Sequence, residues 1–300
     1  MPRTSQHYRG RFAPSPTGPL HLGSLIAAVA SFLDARHAGG QWLVRMEDLD
    51  PPREEPGAAT DILNCLQYHG LQWDEEVLFQ SSRGAAYAAA LATLEAQGLL
   101  FRCDCSRAML GSDGACRGNC RLRQREISGT CSIRISVSGD SIIQFQDTLQ
   151  GRHKVVLAQS LTDFVVRRKD GLTAYQLAVV VDDAQQHITH VVRGSDLLDS
   201  TARQIFLQQQ LGYTTPQYCH VPVITTVHGQ KYSKQNHAPA LVIEHAAANL
   251  RDALQFLQQR VPPPSLTSVE QVLAYAIEHW SVARVPATLA IPGNAINPDV

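Results

Sequence analysis

Residues 11–24 read RFAPSPTGPLHLGS, and no other stretch limits the fold so tightly. The short extended run 11–13 meets Pro14, Pro16, Gly18 and Pro19, which interrupt both helix and sheet. From Gly23 an Ala-, Leu- and Ile-rich run continues to His37, where Gly39 and Gly40 supply a stop. Residues 42–46 then read as a buried strand that ends in the acidic Glu47, Asp48 and Asp50. Apolar residues recur at three and four over 54–69, closed by Gly70, and over 83–97, closed by Gly98. Strand, loop and helix repeating in this way predict an α/β fold, a parallel sheet flanked by helices.

Beyond Phe101 the character changes to a cysteine- and arginine-rich stretch and then to short alternating strands at 132–137 and 142–145, which predicts an inserted module. Asp170 and Gly171 stand between 164–169 and 172–181 and predict a hairpin. The chain then returns to the sheet: Asp199 or Ser200 is placed to cap a helix that runs to Leu211 with Gly212 behind it, and 221–225 predicts a further strand. Two or three small helices are expected around Pro262, Pro263 and Pro264.

A length of 300 residues allows roughly two domains, and 44% hydrophobic content supplies a sizeable core. With a net charge of -1, the chain lacks the broad positive field that would grip nucleic acid through many phosphates, so any such interface is local. The first ten residues lack the apolar stretch of a signal peptide, and nowhere do about 18 uninterrupted apolar residues occur, which predicts a cytoplasmic protein. Seven cysteines is an odd number, and Cys103, Cys105, Cys116 and Cys120 crowd together. That pattern suits a reduced compartment with one metal site better than a disulfide framework.

The loop before the first predicted helix is placed to receive an anion, because helix N-terminal amides lack intrahelical partners. Gly23 lets backbone approach a ligand, and His21 offers a ring nitrogen that can donate to phosphate. Far along the chain, Lys231, Tyr232, Ser233, Lys234 and Gln235 form a basic loop whose lysines can close over a polyphosphate. Taken singly, the first is a turn and the second a solvated loop.

Together they resemble the HIGH and KMSKS signatures of class I aminoacyl-tRNA synthetases, with His21-Leu22-Gly23-Ser24 as the first and Lys231 to Gln235 as the second. Residues 11–18, then Arg45-Met46-Glu47-Asp48-Leu49-Asp50 and Val180-Val181-Asp182-Asp183, are similar to the glutamyl branch of that family. Ser24 replaces the second histidine of HIGH, which removes one ring donor to ATP. The resemblance implies a Rossmann-like catalytic domain over 1–101 and 190–240, a zinc-binding, acceptor-contacting insert over 102–189, and a small helical region over 241–300 with no anticodon-binding domain. It further implies ATP as substrate, with magnesium, and activation of glutamate as its adenylate. His21, Gly23, Lys231 and Lys234 would hold ATP, with His21 and both lysines assisting chemistry. Arg11, Phe12, Ala13, Pro14 and Ser15 would line the amino-acid pocket with Arg11 as carboxylate anchor. Glu47 would take the ammonium, and Tyr175 and Arg193 would complete the site. Surface ion pairing is the ordinary reading for Arg193, and a hairpin core aromatic for Tyr175.

Cys103, Cys105, Cys116 and Cys120 form two close pairs separated by a glycine-containing loop, a set able to close tetrahedrally on one structural zinc. Buried free thiols are the alternative. Arg102, Arg107, Arg117, Arg121, Arg123 and Arg125 surround the cluster and offer either an RNA-contacting surface or a solvated face. Only about 66 residues follow Lys234, too few for the helical region with which full glutamyl enzymes read an anticodon. The shortened form implies a monomer that transfers glutamate to the queuosine base in the anticodon stem-loop of tRNA(Asp), with no membrane partner. Charging the 3′ end of tRNA(Glu) is the alternative enzyme reading, and a non-catalytic zinc-stapled RNA-binding paralogue the alternative of another class.

Overall fold

In the computed structural model, residues 7–137, 142–160, 163–226 and 239–293 are described. Lys231, Lys234 and the rest of the basic loop lie outside them. Strand β1 (Arg9–Phe12), helix α1 (Leu22–His37) and strand β2 (Gln41–Met46) form the expected opening unit. Helix α2 (Ala58–Tyr68), strand β3 (Leu78–Phe79) and helix α3 (Gly84–Ala96) extend it. β1 pairs parallel with β2, Arg11 opposite Leu43, and β2 pairs parallel with β3.

Strands β4 (Leu100–Cys103), β5 (Ser132–Ser136) and β8 (Asp163–Arg167) make an antiparallel sheet beside the cysteines. Between β5 and β8 come strands β6 (Ile142–Asp147) and β7 (Gly151–Val156), which pair antiparallel, and the short helix α4 (Leu157–Ser160). β6 leaves the cysteine-bearing sheet and enters a second sheet ordered β7-β6-β10-β9, with β9 (His190–Gly194) and β10 (Gln217–Val221). β9 lies alongside β1, where the Thr189 amide donates to the Arg9 carbonyl at 2.9 Å. The parallel strands β1, β2, β9 and β10 therefore present their carboxyl ends to one edge, the usual ligand position in open α/β sheets.

Two sequence expectations are corrected. Residues 170–171 do turn, with the Gly171 amide donating to the Arg168 carbonyl at 3.1 Å, but the second arm is helix α5 (Tyr175–Gln185), not a strand. Leu177 to Asp183 are all buried, so a helix buried on every side, with apolar Leu177 to Val181 in succession, mimics a buried strand. Helix α6 (Leu198–Leu211) ends at Gly212 with φ of 70°, as expected, yet grows out of a 3₁₀ turn at Ser195–Leu197 and uses neither Asp199 nor Ser200 as its cap.

Strand β11 (Val223–Thr225) pairs parallel with β12 (Ala290–Pro292), and helices α7 (Ala246–Phe256) and α8 (Val269–His279) flank Pro262 to Pro264. These late helices cover α1. Burying Leu25, Ile26, Val29 and Leu33 against the sheet on one side and the late helices on the other stabilises by about 2 kcal/mol per side chain. The Trp280 indole and the Tyr8 hydroxyl both donate to the Asp34 carboxylate, at 2.9 and 2.6 Å. No helix among the described residues is long and apolar enough to cross a membrane.

Candidate active site

The loop that leaves β1 is drawn against the end of β2, where the Glu47 amide donates to the Pro14 carbonyl at 2.9 Å. His21 then caps α1, its Nδ1 accepting from the Ser24 amide at 3.3 Å. A neutral ring that accepts through Nδ1 carries its proton on Nε2. A Cβ at position 23 would stand 3.0 Å from the His21 ring and 3.1 Å from Ile224, so glycine is what lets α1 begin here.

Beside this helix end is a cavity of about 210 Å³. Arg11, Phe12, Ala13, His21, Gly23, Glu47, Tyr175 and Arg193, widely separated in sequence, all line it. Ser15 lines an adjoining cavity of about 350 Å³ that shares Ala13, Glu47, Tyr175 and Leu197 with the first and adds Asp50, Arg53, Glu54 and Arg168. At that second mouth Asp50 pairs with Arg53, and with Arg168 at 3.0 Å.

Behind the first cavity is a buried ionic cluster. Asp183, on α5, accepts from Arg11 Nε at 3.2 Å and from Arg45 Nη1 at 2.8 Å, and Arg45 Nη2 stands 3.6 Å from Glu47. The arginines share Asp183, which holds its carboxyl below the ordinary range despite burial. Glu47 behaves oppositely. Burial pushes its carboxyl up to about 7, because Arg45 and Arg11 already answer Asp183 and Asp183 adds like charge. Arg193 acts on Glu47 too, so three guanidinium groups favour its ionised form. Asp183 and Arg45 were visible as motif residues, but their mutual pairing was not. The neighbouring Asp182 belongs to the frame, accepting from Tyr87 at 2.7 Å and Gln80 at 2.9 Å.

The four clustered cysteines meet as their spacing predicts. Their Sγ atoms all lie within 4.8 Å of one another, with Cys105 at 3.5 Å from Cys120 and 3.7 Å from Cys116. Tetrahedral thiolates about 2.3 Å from one zinc stand just under 4 Å apart, so the set fits that ion. A Cβ at Gly118 would come within 2.7 Å of Cys105 Sγ, which shows how closely the loop wraps the sulfurs. Among the described residues Arg107, Arg121 and Arg125 are exposed and form no ion pair, whereas Arg117 pairs with Asp113 and Arg123 with Asp104.

Comparison with known proteins agrees with this geometry. Residues 7–258 match the family model for the catalytic domain of class I tRNA synthetases (E and Q). The chain belongs to that family. It is 49% identical over 292 residues to the glutamyl-Q tRNA(Asp) synthetase of Pseudomonas fluorescens, covering 96% of this chain and 97% of the relative. With the enzyme of the same name from Thiobacillus denitrificans it shares 53% over 289 residues, 92% of this chain and 94% of the other. The fold superposes on the glutamate-tRNA synthetase of Elizabethkingia anophelis with a TM-score of 0.79 at 24% identity, spanning 97% of this chain and 69% of that one. The class I α/β architecture expected from the sequence is therefore the one observed.

Proposed function

We propose that this family member activates glutamate with ATP and transfers the glutamyl group to the queuosine base in the anticodon loop of tRNA(Asp). The observation that carries the reading is the continuity of one cavity from the His21-capped start of α1 to the buried arginines and Glu47. The relatives' shared name and near-complete mutual coverage support the choice of acceptor.

In the first step the α-carboxylate of glutamate forms a bond to the α-phosphorus of ATP as the bond to pyrophosphate breaks. No base is required, since the carboxylate is ionised near pH 7. His21 and the first amides of α1 hold phosphate oxygens, while Lys231 and Lys234 neutralise charge gathering on the departing pyrophosphate; magnesium bound to ATP would add to that neutralisation. Arg11 and Arg193 receive the side-chain carboxylate. Glu47 takes the ammonium, and Tyr175, whose phenol is held protonated by burial, closes the wall. In the second step a queuosine hydroxyl attacks the adenylate carbonyl and AMP leaves.

The adjoining cavity offers the acceptor a route, because its shared wall of Ala13, Glu47, Tyr175 and Leu197 meets the position of the adenylate. Cys103, Cys105, Cys116 and Cys120 would hold a structural zinc and so pin the arginine-bearing loop, where Arg107, Arg121 and Arg125 offer phosphate contacts. Exchange of pyrophosphate into ATP, dependent on glutamate and measured without RNA, tests activation and is expected to collapse in Lys234→Ala. Glutamylation of tRNA(Asp) only when it carries queuosine is expected; acceptance of unmodified tRNA(Glu) instead would overturn the choice of acceptor.

A further inference from the structure

Three adjacent strands deliver Arg193, His220 and Asp147 to one place. Arg193 and His220 are register partners on β9 and β10, and Asp147 closes β6 on the far side of β10. His220 and Asp147 have side chains wholly shielded from solvent, and they meet at 2.6 Å through Nδ1 and Oδ2. Arg193 Nε stands 3.0 Å from His220 Nε2. A guanidinium Nε always carries its proton, so the imidazole Nε2 must accept. The single ring proton then sits on Nδ1 and is donated to Asp147. Asp147 is itself fixed, accepting backbone amides of Leu149 at 3.0 Å, Gln150 at 2.9 Å and His220 at 3.2 Å. Burial lowers the His220 ring from its ordinary value against the pull of Asp147, which agrees with a neutral ring facing Arg193.

The rest of the guanidinium is also accounted for. Arg193 Nη2 donates to Thr201 Oγ1 at 2.9 Å and to the Leu197 carbonyl at 3.3 Å, and the Tyr218 ring lies 5.4 Å from Cζ. Nη1 alone is left, buried and without a hydrogen-bond partner, on a side chain that lines the catalytic cavity. A buried N–H without a protein partner on the wall of a cavity is placed to donate to whatever binds there, and a carboxylate is the acceptor that suits it best.

We propose that His220 and Asp147 are positioning residues that lock Arg193 in the one orientation presenting Nη1 to the side-chain carboxylate of the amino-acid substrate, and so set affinity for glutamate. The inference rests on the proposed glutamate site. Asp147 fixes the tautomer, the tautomer gives Nε2 a lone pair, and the lone pair holds Nε. Lysine in place of Arg193 would lose that grip, having neither a fork nor an Nε.

Calorimetric binding of glutamate to the purified full chain, together with the exchange KM for glutamate and for ATP, tests this. His220→Phe removes both ring hydrogen bonds, whereas His220→Gln keeps one acceptor and one donor. The expected result is glutamate affinity weakened about tenfold or more in His220→Phe, the loss typical of a misplaced charge-assisted hydrogen bond, with the KM for ATP little changed and partial recovery in His220→Gln. Asp147→Asn, which destroys the tautomer preference, is expected to follow His220→Phe and serves if that variant does not fold. Wild-type affinity in either folded variant, or an equal rise in both KM values, would overturn the inference while leaving the proposed function intact. Absence of glutamate binding by the wild-type chain would instead remove the proposed function and the inference with it.

Discussion

Glutamate binding is predicted to weaken as pH falls through 7, because Glu47 must be ionised to receive an ammonium. Its carboxyl is pushed up to about 7 by burial, against the attraction of Arg45 and Arg11. Roughly nine-tenths of the empty site is then ionised at about pH 8 and one-tenth at about pH 6, a difference of about tenfold in apparent affinity. The ammonium of glutamate stays protonated across this window and adds no slope. Calorimetry with glutamate alone is the suitable assay, since ionisation of ATP phosphates then contributes nothing. The effect on stability has the opposite sign. A carboxyl whose folded value lies above its ordinary 4.5 binds its proton more tightly in the native chain. That contribution, about 3 kcal/mol, is fully present below the ordinary value and is lost as pH rises through about 7. Glu47→Gln should abolish both slopes and bind glutamate weakly at every pH. Equal affinity at pH 6 and 8 in the wild type, or an unchanged slope in Glu47→Gln, would refute the reasoning.

Three further outcomes follow from the same geometry. Asp183→Asn leaves Arg11 and Arg45 buried without their shared anion and should lower the unfolding free energy by about 3–5 kcal/mol in urea titration; an unchanged midpoint would contradict the cluster. Cys105→Ser should reduce bound zinc, measured by atomic absorption, and lower the thermal midpoint, while a variant with full zinc and unaltered melting would remove the metal from the account. Arg168→Ala removes one of the two cations that hold Asp50 at the mouth of the second cavity and should slow glutamyl transfer to RNA by about tenfold more than it slows pyrophosphate exchange; equal effects on both would close that route.

The opening βαβ unit was legible because local rules agree over it: prolines bar regular structure before α1, apolar spacing carries the helix, and glycines end it. Helix α2 starts later than its apolar spacing suggested, since Gly57 adopts a φ of 86° immediately before Ala58. Residues 172–181 misled for a different reason. Val179, Val180 and Val181 favour strands by composition, and their helix is buried on every side, so no polar face announced its period. Asp182 and Asp183 are tolerable there only because Tyr87, Gln80, Arg11 and Arg45 arrive from distant elements. Motif residues such as His21, Glu47 and Arg193 could be named in advance by resemblance. The pair Asp147 and His220 could not, because 73 positions separate them and only strand order brings them together.

The mass of queuosine released from treated tRNA(Asp) is the most direct test of the proposed acceptor. After incubation of the full chain with ATP, glutamate and tRNA(Asp) containing queuosine, the tRNA is digested and its nucleosides are weighed by mass spectrometry. One added glutamyl group on queuosine is expected, and none without ATP. Queuosine recovered at its unmodified mass, with glutamate instead on the terminal adenosine of a parallel sample of tRNA(Glu), would contradict the proposed acceptor.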